Sequence, residues 1–299
     1  MSLFDTKVAL VTGYPNGAIH QVMRALQVGL KAHDVESDLI NVYDAQERNR
    51  LIHYDLVHLG YFGYEPHVQE ALSNVPWTAN VWHIPLMTNE NGQAMFDDAY
   101  SNSFRQYTSS RFFVSEPMTL QQLGQLGRTD VTYAPIIFDA TLFKVLPPPE
   151  GAFTVGVFAN DYPSKRLHII EQGCKAADVK YLPVVTPQNR KSYTLNPLTD
   201  VYAKIHVLAH ASFVDTDSLP VREALLCGRP VITTRNCGMH DIINGNNGMF
   251  FDGSAADFAA KVSYVRACYR EMSAAAPRTP MADPTIVATT YLDIWKGLL

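Results

Sequence analysis

Residues Phe213 to Gly228 read FVDTDSLPVREALLCG, with carboxylates at Asp215 and Glu223 and a proline, Pro220, between them. Proline suits the first helical turn, where its missing N–H would be unpaired anyway, so the spacing predicts a helix beginning near Pro220. Glu223 is then expected in its first turn, and Asp215 in the loop leading in. The unpaired N–H groups and positive end of a helix favour a phosphate, and two carboxylates can accept hydrogen bonds from sugar hydroxyls. The combination suits a nucleotide sugar. The same acids could instead complement the helix dipole and solvate a loop.

Other residues invite chemistry. Lys165 and Arg166 follow a proline-containing loop and precede a helical pattern, where their charges could neutralise a diphosphate or simply face solvent. Gly13 and Gly17 flank a turn after the first strand; GYPNG lacks the third glycine of a dinucleotide fingerprint and is equally an ordinary turn. His83 follows the strand-like NVW and would reach a ligand if that strand ends there, or sit as a satisfied edge histidine. His206 and His210 lie in a strand-like IHVLAH without the HExxH glutamate, so no zinc site is expected, and no acids have spacing suited to another metal. The aromatic YFGYEPH at 61–67 could line an acceptor site or cover a sheet edge.

These residues must be positioned by an alternating α/β chain. KVALVT, DLINVY, DLVHLGYF, TANVWHIP, RFFVS and VTYAPII read as strands, with helical spacing in IHQVMRALQVGLKAH. The stiff LPPPEG at 146–151 reads as a linker. Beyond it FTVGVFA, YLPVV, IHVLAH, PVITT and GMFFD repeat the pattern. Two Rossmann-like domains facing a central cleft are expected, over residues 1–147 and 151–284, with ligands at the carboxyl ends of the strands. PTIVATTYLDIWKGLL reads as an amphipathic helix with an apolar stripe at Ile286, Tyr291, Ile294, Trp295 and Leu298.

The stretch from Asp215 to Val231 resembles the signature of family 4 of the retaining glycosyltransferases: an acid, seven residues, Glu223, then Ala224, Cys227, Gly228, Pro230 and Val231. CGMHDIINGNNGMFFD resembles the next block, with Gly238, Asp241, Gly245 and Gly248; VTYAPIIFDATLF, with Asp139 and Phe143, resembles the interdomain boundary; and FTVGVFANDYPSKRLHIIEQG resembles the diphosphate-holding unit, with Lys165 matching the family lysine. The sequence departs from that pattern in Asp215 for a glutamate, Asn160 near a usual arginine, and Asp217 and Ser218 for a Phe-Gly pair. The resemblance implies a glycosyltransferase B fold, with the first domain on the acceptor side and residues 285–299 forming a helix that crosses back to it. It implies retaining, metal-independent transfer from a UDP-sugar or GDP-sugar, with no cofactor. It also implies donor contacts from Gly17, Lys165, Arg166, Asp215, Ser218, Leu219 and Glu223, with catalytic roles for His83, Lys165 and Asp215. Glu223 would hold the ribose hydroxyls, and His83 would orient the sugar.

Composition fits such an enzyme. The chain has 299 residues, 47% of them hydrophobic, enough for two domains. A phage-type transferase acting on modified DNA bases is one alternative, although the net charge of −5 supplies no footprint for a nucleic-acid acceptor. A soluble glycan or small molecule is the expected acceptor. A noncatalytic nucleotide-sugar-binding partner subunit is the alternative raised by Asp215 and Asn160. No apolar run approaches a membrane span, and the amino terminus enters a strand without a secretion signal. Cys174, Cys227, Cys237 and Cys268 lack paired ligand spacing and read as reduced thiols, which points to the cytoplasm.

Overall fold

A computed structural model describes residues 6–15, 17–82, 86–88, 94–96, 111–125, 127–160, 163–186, 196–212, 215, 217–239 and 241–299. The chain divides into two units, Met1–Asp139 with Ala282–Leu299, and Ala140–Met281.

Among the described residues the first unit holds strands β1 (Lys7–Thr12), β2 (Glu36–Asn41), β3 (Leu56–Leu59), β4 (Trp77–Asn80), a short antiparallel pair β5 (Leu86–Thr88) and β6 (Ala94–Phe96), then β7 (Arg111–Val114) and β8 (Val131–Tyr133). Its helices are α1 (Ala18–Lys31), α2 (Ala45–Arg48), α3 (Glu65–Leu72) and α4 (Pro117–Gln125). The main sheet is parallel in the order β2-β1-β3-β4-β7-β8. Such strands are covered on both faces and must be apolar on both, which is why Val8, Ala9, Leu10 and Val11 are all fully buried.

The second unit holds β9 (Thr154–Asn160), β10 (Lys180–Thr186), β11 (Val207–His210), β12 (Val231–Thr234) and β13 (Gly248–Phe251), parallel in the order β10-β9-β11-β12-β13. Its helices are α5 (Leu167–Ala176), α6 (Asn196–Tyr202), α7 (Leu219–Leu226), α8 (Ala255–Ala267) and α9 (Tyr269–Ala275). In each sheet the order reverses once, between β1 and β3 in the first and between β9 and β11 in the second. A crevice opens at such a reversal because the flanking connections leave toward opposite faces.

Part of the expected linker packs within the second unit. Fully buried Arg229 donates from Nη2 to the Pro147 carbonyl at 2.7 Å and from Nε to the Tyr202 carbonyl at 2.7 Å, and Leu146 N–H donates to the Cys227 carbonyl at 3.2 Å. The division between units falls earlier, at Asp139/Ala140.

The last helix, α10 (Pro284–Trp295), belongs to the first unit and lies on α1. A Cβ at Gly29 would collide with the Pro284 carbonyl oxygen, so the close approach of the two helices requires glycine there. Trp295 Nε1 donates to Thr78 Oγ1 at 3.1 Å and the Tyr291 hydroxyl to Asn80 Oδ1 at 3.0 Å, which satisfies the polar ends of two buried aromatics. The buried stripe is Val287, Ala288, Tyr291, Leu292 and Trp295; it keeps the expected Tyr291 and Trp295, while Ile294 and Leu298 are half-buried and Ile286 is 71% exposed. No helix among the described residues is long and apolar enough to cross a membrane.

Candidate functional site

The carboxyl ends of β9 and β11 bring predicted residues together. Lys165 closes the short turn Pro163–Lys165 after β9, and Asp215 follows the end of β11. The Lys165 ammonium donates to Asp215 Oδ2 at 2.7 Å, across the crevice where the strand order reverses. The same oxygen lies 2.9 Å from His210 Nε2, on the last residue of β11. Burial opposes ionisation of Asp215, but hydrogen bonds from His210 and Lys165 and their charges outweigh it and hold the carboxyl well below the usual carboxylate range. Burial alone would lower His210; the neighbouring Cys237 and Asp215 instead hold it up at about 9. Asp215 is thus an anion between two cations.

Arg166 is handled differently. It is the N-cap of α5 with a left-handed backbone, φ 47°, and its Nε donates to the Ala211 carbonyl at 2.7 Å. The guanidinium therefore ties the loop after β9 to the end of β11. Ser212 and Ser218 are both buried, and neither Oγ has a hydrogen-bond partner among the described residues. Such hydroxyls ordinarily find one.

Helix α7 begins at Leu219, with Ser218 as N-cap and Pro220 in the second helical position. Glu223 therefore falls in the second turn instead of the expected first, and its side chain turns inward. It is 2% exposed, and Oε2 accepts a 2.6 Å hydrogen bond from the Tyr202 hydroxyl. Oε1 has no hydrogen-bond partner among the described residues. Burial pushes the Glu223 carboxyl up to about 7 against the opposing effect of Tyr202.

Asp217, which departs from the resembled motif, faces Arg222 in a fork: Nε to Oδ1 at 2.7 Å and Nη2 to Oδ2 at 2.8 Å, with side chains 3% and 11% exposed. A bidentate pair of this kind fixes the entry to α7. Leu219 is buried beside it. Gly17 lies in the first unit as the N-cap of α1, donating its N–H to the Tyr14 carbonyl at 3.1 Å. His83 lies outside the described residues, as does the side chain of Asn160.

Sequence reading missed three members of this arrangement. His210 entered only as a rejected zinc ligand; its place at a strand end, five residues before Asp215, was the available signal. Tyr202 carried none, because it meets Glu223 only through the packing of α6 against α7. The Asp217–Arg222 fork was legible as opposite charges flanking a helix start. A cavity of about 540 Å³ lined by Asn247, Tyr264, Glu271, Met272 and Arg278 lies elsewhere, around the loop before β13, and contains none of the predicted site residues.

Residues 164–267 match the family model for glycosyl transferases group 1. Among solved structures, the sucrose-phosphate synthase of Thermosynechococcus elongatus aligns with a TM-score of 0.73 at 14% identity, over 98% of this chain and 99% of that one. HepE of Anabaena, solved with UDP-glucose, aligns with 0.69 at 14% identity, over 97% and 96%. AviGT4, a glycosyltransferase involved in avilamycin A biosynthesis, aligns with 0.64 at 16% identity, over 98% of each chain. At these identities the likeness establishes the fold, that of glycosyltransferase B enzymes. No curated protein sequence matches the chain.

Proposed function

We propose, from a chain whose residues 164–267 form a group 1 glycosyltransferase domain on a glycosyltransferase B fold, that it moves a sugar from a UDP-sugar to an acceptor hydroxyl. The observation that carries this reading is the Lys165 ammonium at the β9/β11 crevice, held by a single carboxylate oxygen. A diphosphate entering there offers Lys165 a second anionic partner. UDP is the proposed nucleotide because HepE, of the same fold, was solved with UDP-glucose.

In the proposed reaction the bond between the anomeric carbon and the diphosphate oxygen breaks, and its electron pair stays on the diphosphate. Lys165 and the Leu219 N–H that opens α7 stabilise that charge as it develops, in the place a metal would otherwise take. The acceptor oxygen bonds to the anomeric carbon on the same face, and its proton passes to the departing phosphate oxygen. The configuration is retained with no covalent nucleophile and no metal. Asp215 orients the donor sugar and Lys165. Glu223, anchored through Oε2 by Tyr202, offers Oε1 to a ribose hydroxyl. Ser212 and Ser218 supply unpartnered hydroxyls beside the phosphates. Arg166 braces the crevice, and the first unit takes the acceptor. Four unpaired cysteines support a cytoplasmic location.

Calorimetric titration of the full chain with UDP, GDP and ADP tests this reading. UDP is expected to bind saturably, and Glu223→Ala to weaken it by about tenfold or more, as loss of a charge-assisted hydrogen bond should. Absence of binding by all three nucleotides, or an unchanged UDP affinity in the variant, would overturn it.

A further inference from the structure

A second cluster occupies the corresponding crevice of the first sheet. Tyr14 follows β1, Tyr43 follows β2, and Tyr61 and Tyr64 follow β3, three strands adjacent in the order β2-β1-β3. Tyr14 and Tyr43 stack at 4.6 Å and 24°, Tyr64 meets the edge of Tyr43 at 6.1 Å and 80°, and Tyr61 meets Tyr64 at 5.5 Å and 84°. The chain makes room for these rings: a Cβ at Gly13 would collide with the Tyr64 hydroxyl, and one at Gly63 with the Tyr61 ring. The cluster also grades outward. Tyr64 is 7% exposed and forms the wall, whereas Tyr43 is 44% exposed.

Ordinary core packing would bury all four rings. Here Tyr43 reaches solvent at the sheet edge where ligands of doubly wound folds collect. Two buried polar atoms lie in the segments that flank Tyr14 in the chain. Thr12 Oγ1, on the last residue of β1 and 1% exposed, and His20 Nδ1, in the first turn of α1, have no hydrogen-bond partner among the described residues. The rings themselves are neutral as well, the cations nearby being Arg24, whose charge acts on His20, and Arg48, which donates to the Val42 carbonyl. Burial first, then the neighbouring phenols, raise Tyr43 and Tyr64, and burial with Arg24 lowers His20, so the phenols stay protonated and the imidazole uncharged at neutral pH. His67 meets the edge of Tyr43 at 5.7 Å.

We propose that the cluster of Tyr14, Tyr43, Tyr61 and Tyr64 is a binding site for an uncharged saccharide ring, the acceptor of the transfer reaction. The apolar C–H face of a pyranose lies against an aromatic face, and its hydroxyls match phenols, a threonine hydroxyl and a neutral ring nitrogen, each of which can both donate and accept or choose between the two. A phosphate or polyanion would find no cation among the four rings. Naming the ring as acceptor rests on the glycosyl-transfer reading; the binding site itself does not.

The test titrates the full chain, saturated with UDP, with methyl α-glucopyranoside, methyl α-mannopyranoside, methyl β-galactopyranoside and glucose 6-phosphate, followed by saturation-transfer NMR and by tyrosine ring shifts. At least one neutral glycoside is expected to bind and to shift the tyrosine resonances. Tyr43→Ala should weaken it by about tenfold, a typical aromatic-contact loss, while Tyr43→Phe keeps most of the affinity and both variants bind UDP as wild type. Three results would each sink the proposal: no neutral glycoside binding while UDP remains bound, equal affinity in Tyr43→Ala, or tyrosine-dependent preference for the phosphorylated sugar. Loss of UDP binding by the wild type would count against the donor reading alone.

Discussion

The two sheets share a winding rule and differ in what stands at their reversal points. In the second unit the β9/β11 crevice carries partly buried charge, Lys165 and His210 on Asp215, with the Asp217–Arg222 fork at the neighbouring helix start. In the first unit the β1/β3 crevice carries tyrosines. There the ion pairs among Lys7, Glu36, Asp38 and Arg50 cluster near the amino ends of β1 and β2 and are solvent-exposed. One frame thus presents an ionic edge and an aromatic edge, and the residue just past each strand decides which. An ionic edge suits a diphosphate and a neutral aromatic edge a sugar ring. That is the sense in which function resides in sites grafted onto a fold.

The contrast is sharpest in stability. Arg222→Met removes the bidentate cation from the buried Asp217 carboxylate, and is expected to cost about 3–5 kcal/mol. Arg50→Met removes a partner of Asp38 at an exposed edge and is expected to cost under about 1 kcal/mol. Urea unfolding of the full chain measures both; similar losses would erase the distinction between the edges. Next in size is chemistry. Lys165→Ala should slow UDP release in the presence of donor and acceptor by about 10²-fold or more, because the charge developing on the diphosphate loses its nearest cation. A transfer rate close to wild type would remove Lys165 from the reaction.

Much of this was legible in the sequence, and the omissions share a physical reason. Apolar runs such as KVALVT and PVITT announce buried parallel strands because both faces need apolar side chains, so the alternation of elements and the two-sheet plan follow from the pattern. Asp215 and Lys165, which the fold joins at 2.7 Å, stood out as candidates because both follow strand-like runs, where a winding rule places ligands. The errors are local. Glu223 was expected one turn early because proline marks a helix start only to within a residue, and here Leu219 takes the first position. At the start of α10 the expected Ile286 is 71% exposed, while Val287 and Ala288 are buried and Ala288 lies against Gly29 of α1. Tyr202, and the joining of Tyr14 and Tyr43 to the aromatic 61–67 segment, depend on contacts between residues distant in sequence, such as Tyr202 with Glu223 and Tyr14 with Tyr43, which no periodicity encodes.

The smallest predicted effect bears on how the ionic edge is maintained. His210 gains a proton on folding, since its folded value of about 9 exceeds that of a free imidazole. Its contribution to stability is therefore complete below about pH 6.5 and fades as pH rises through about 9. Asp215 has the opposite sign: its carboxyl is depressed, so its contribution is present above the ordinary carboxylate range and disappears only in strong acid. His210→Gln keeps a hydrogen-bond donor for Asp215 but removes the charge. It should destabilise the chain most near pH 6, by roughly 1–2 kcal/mol, and little near pH 10, where the wild-type imidazole is itself neutral. Unfolding curves at the two pH values distinguish this from simple loss of packing, which would cost the same at both. If the difference does not shrink with pH, His210 fills space beside Asp215 without holding its charge, and Lys165 alone balances the carboxylate.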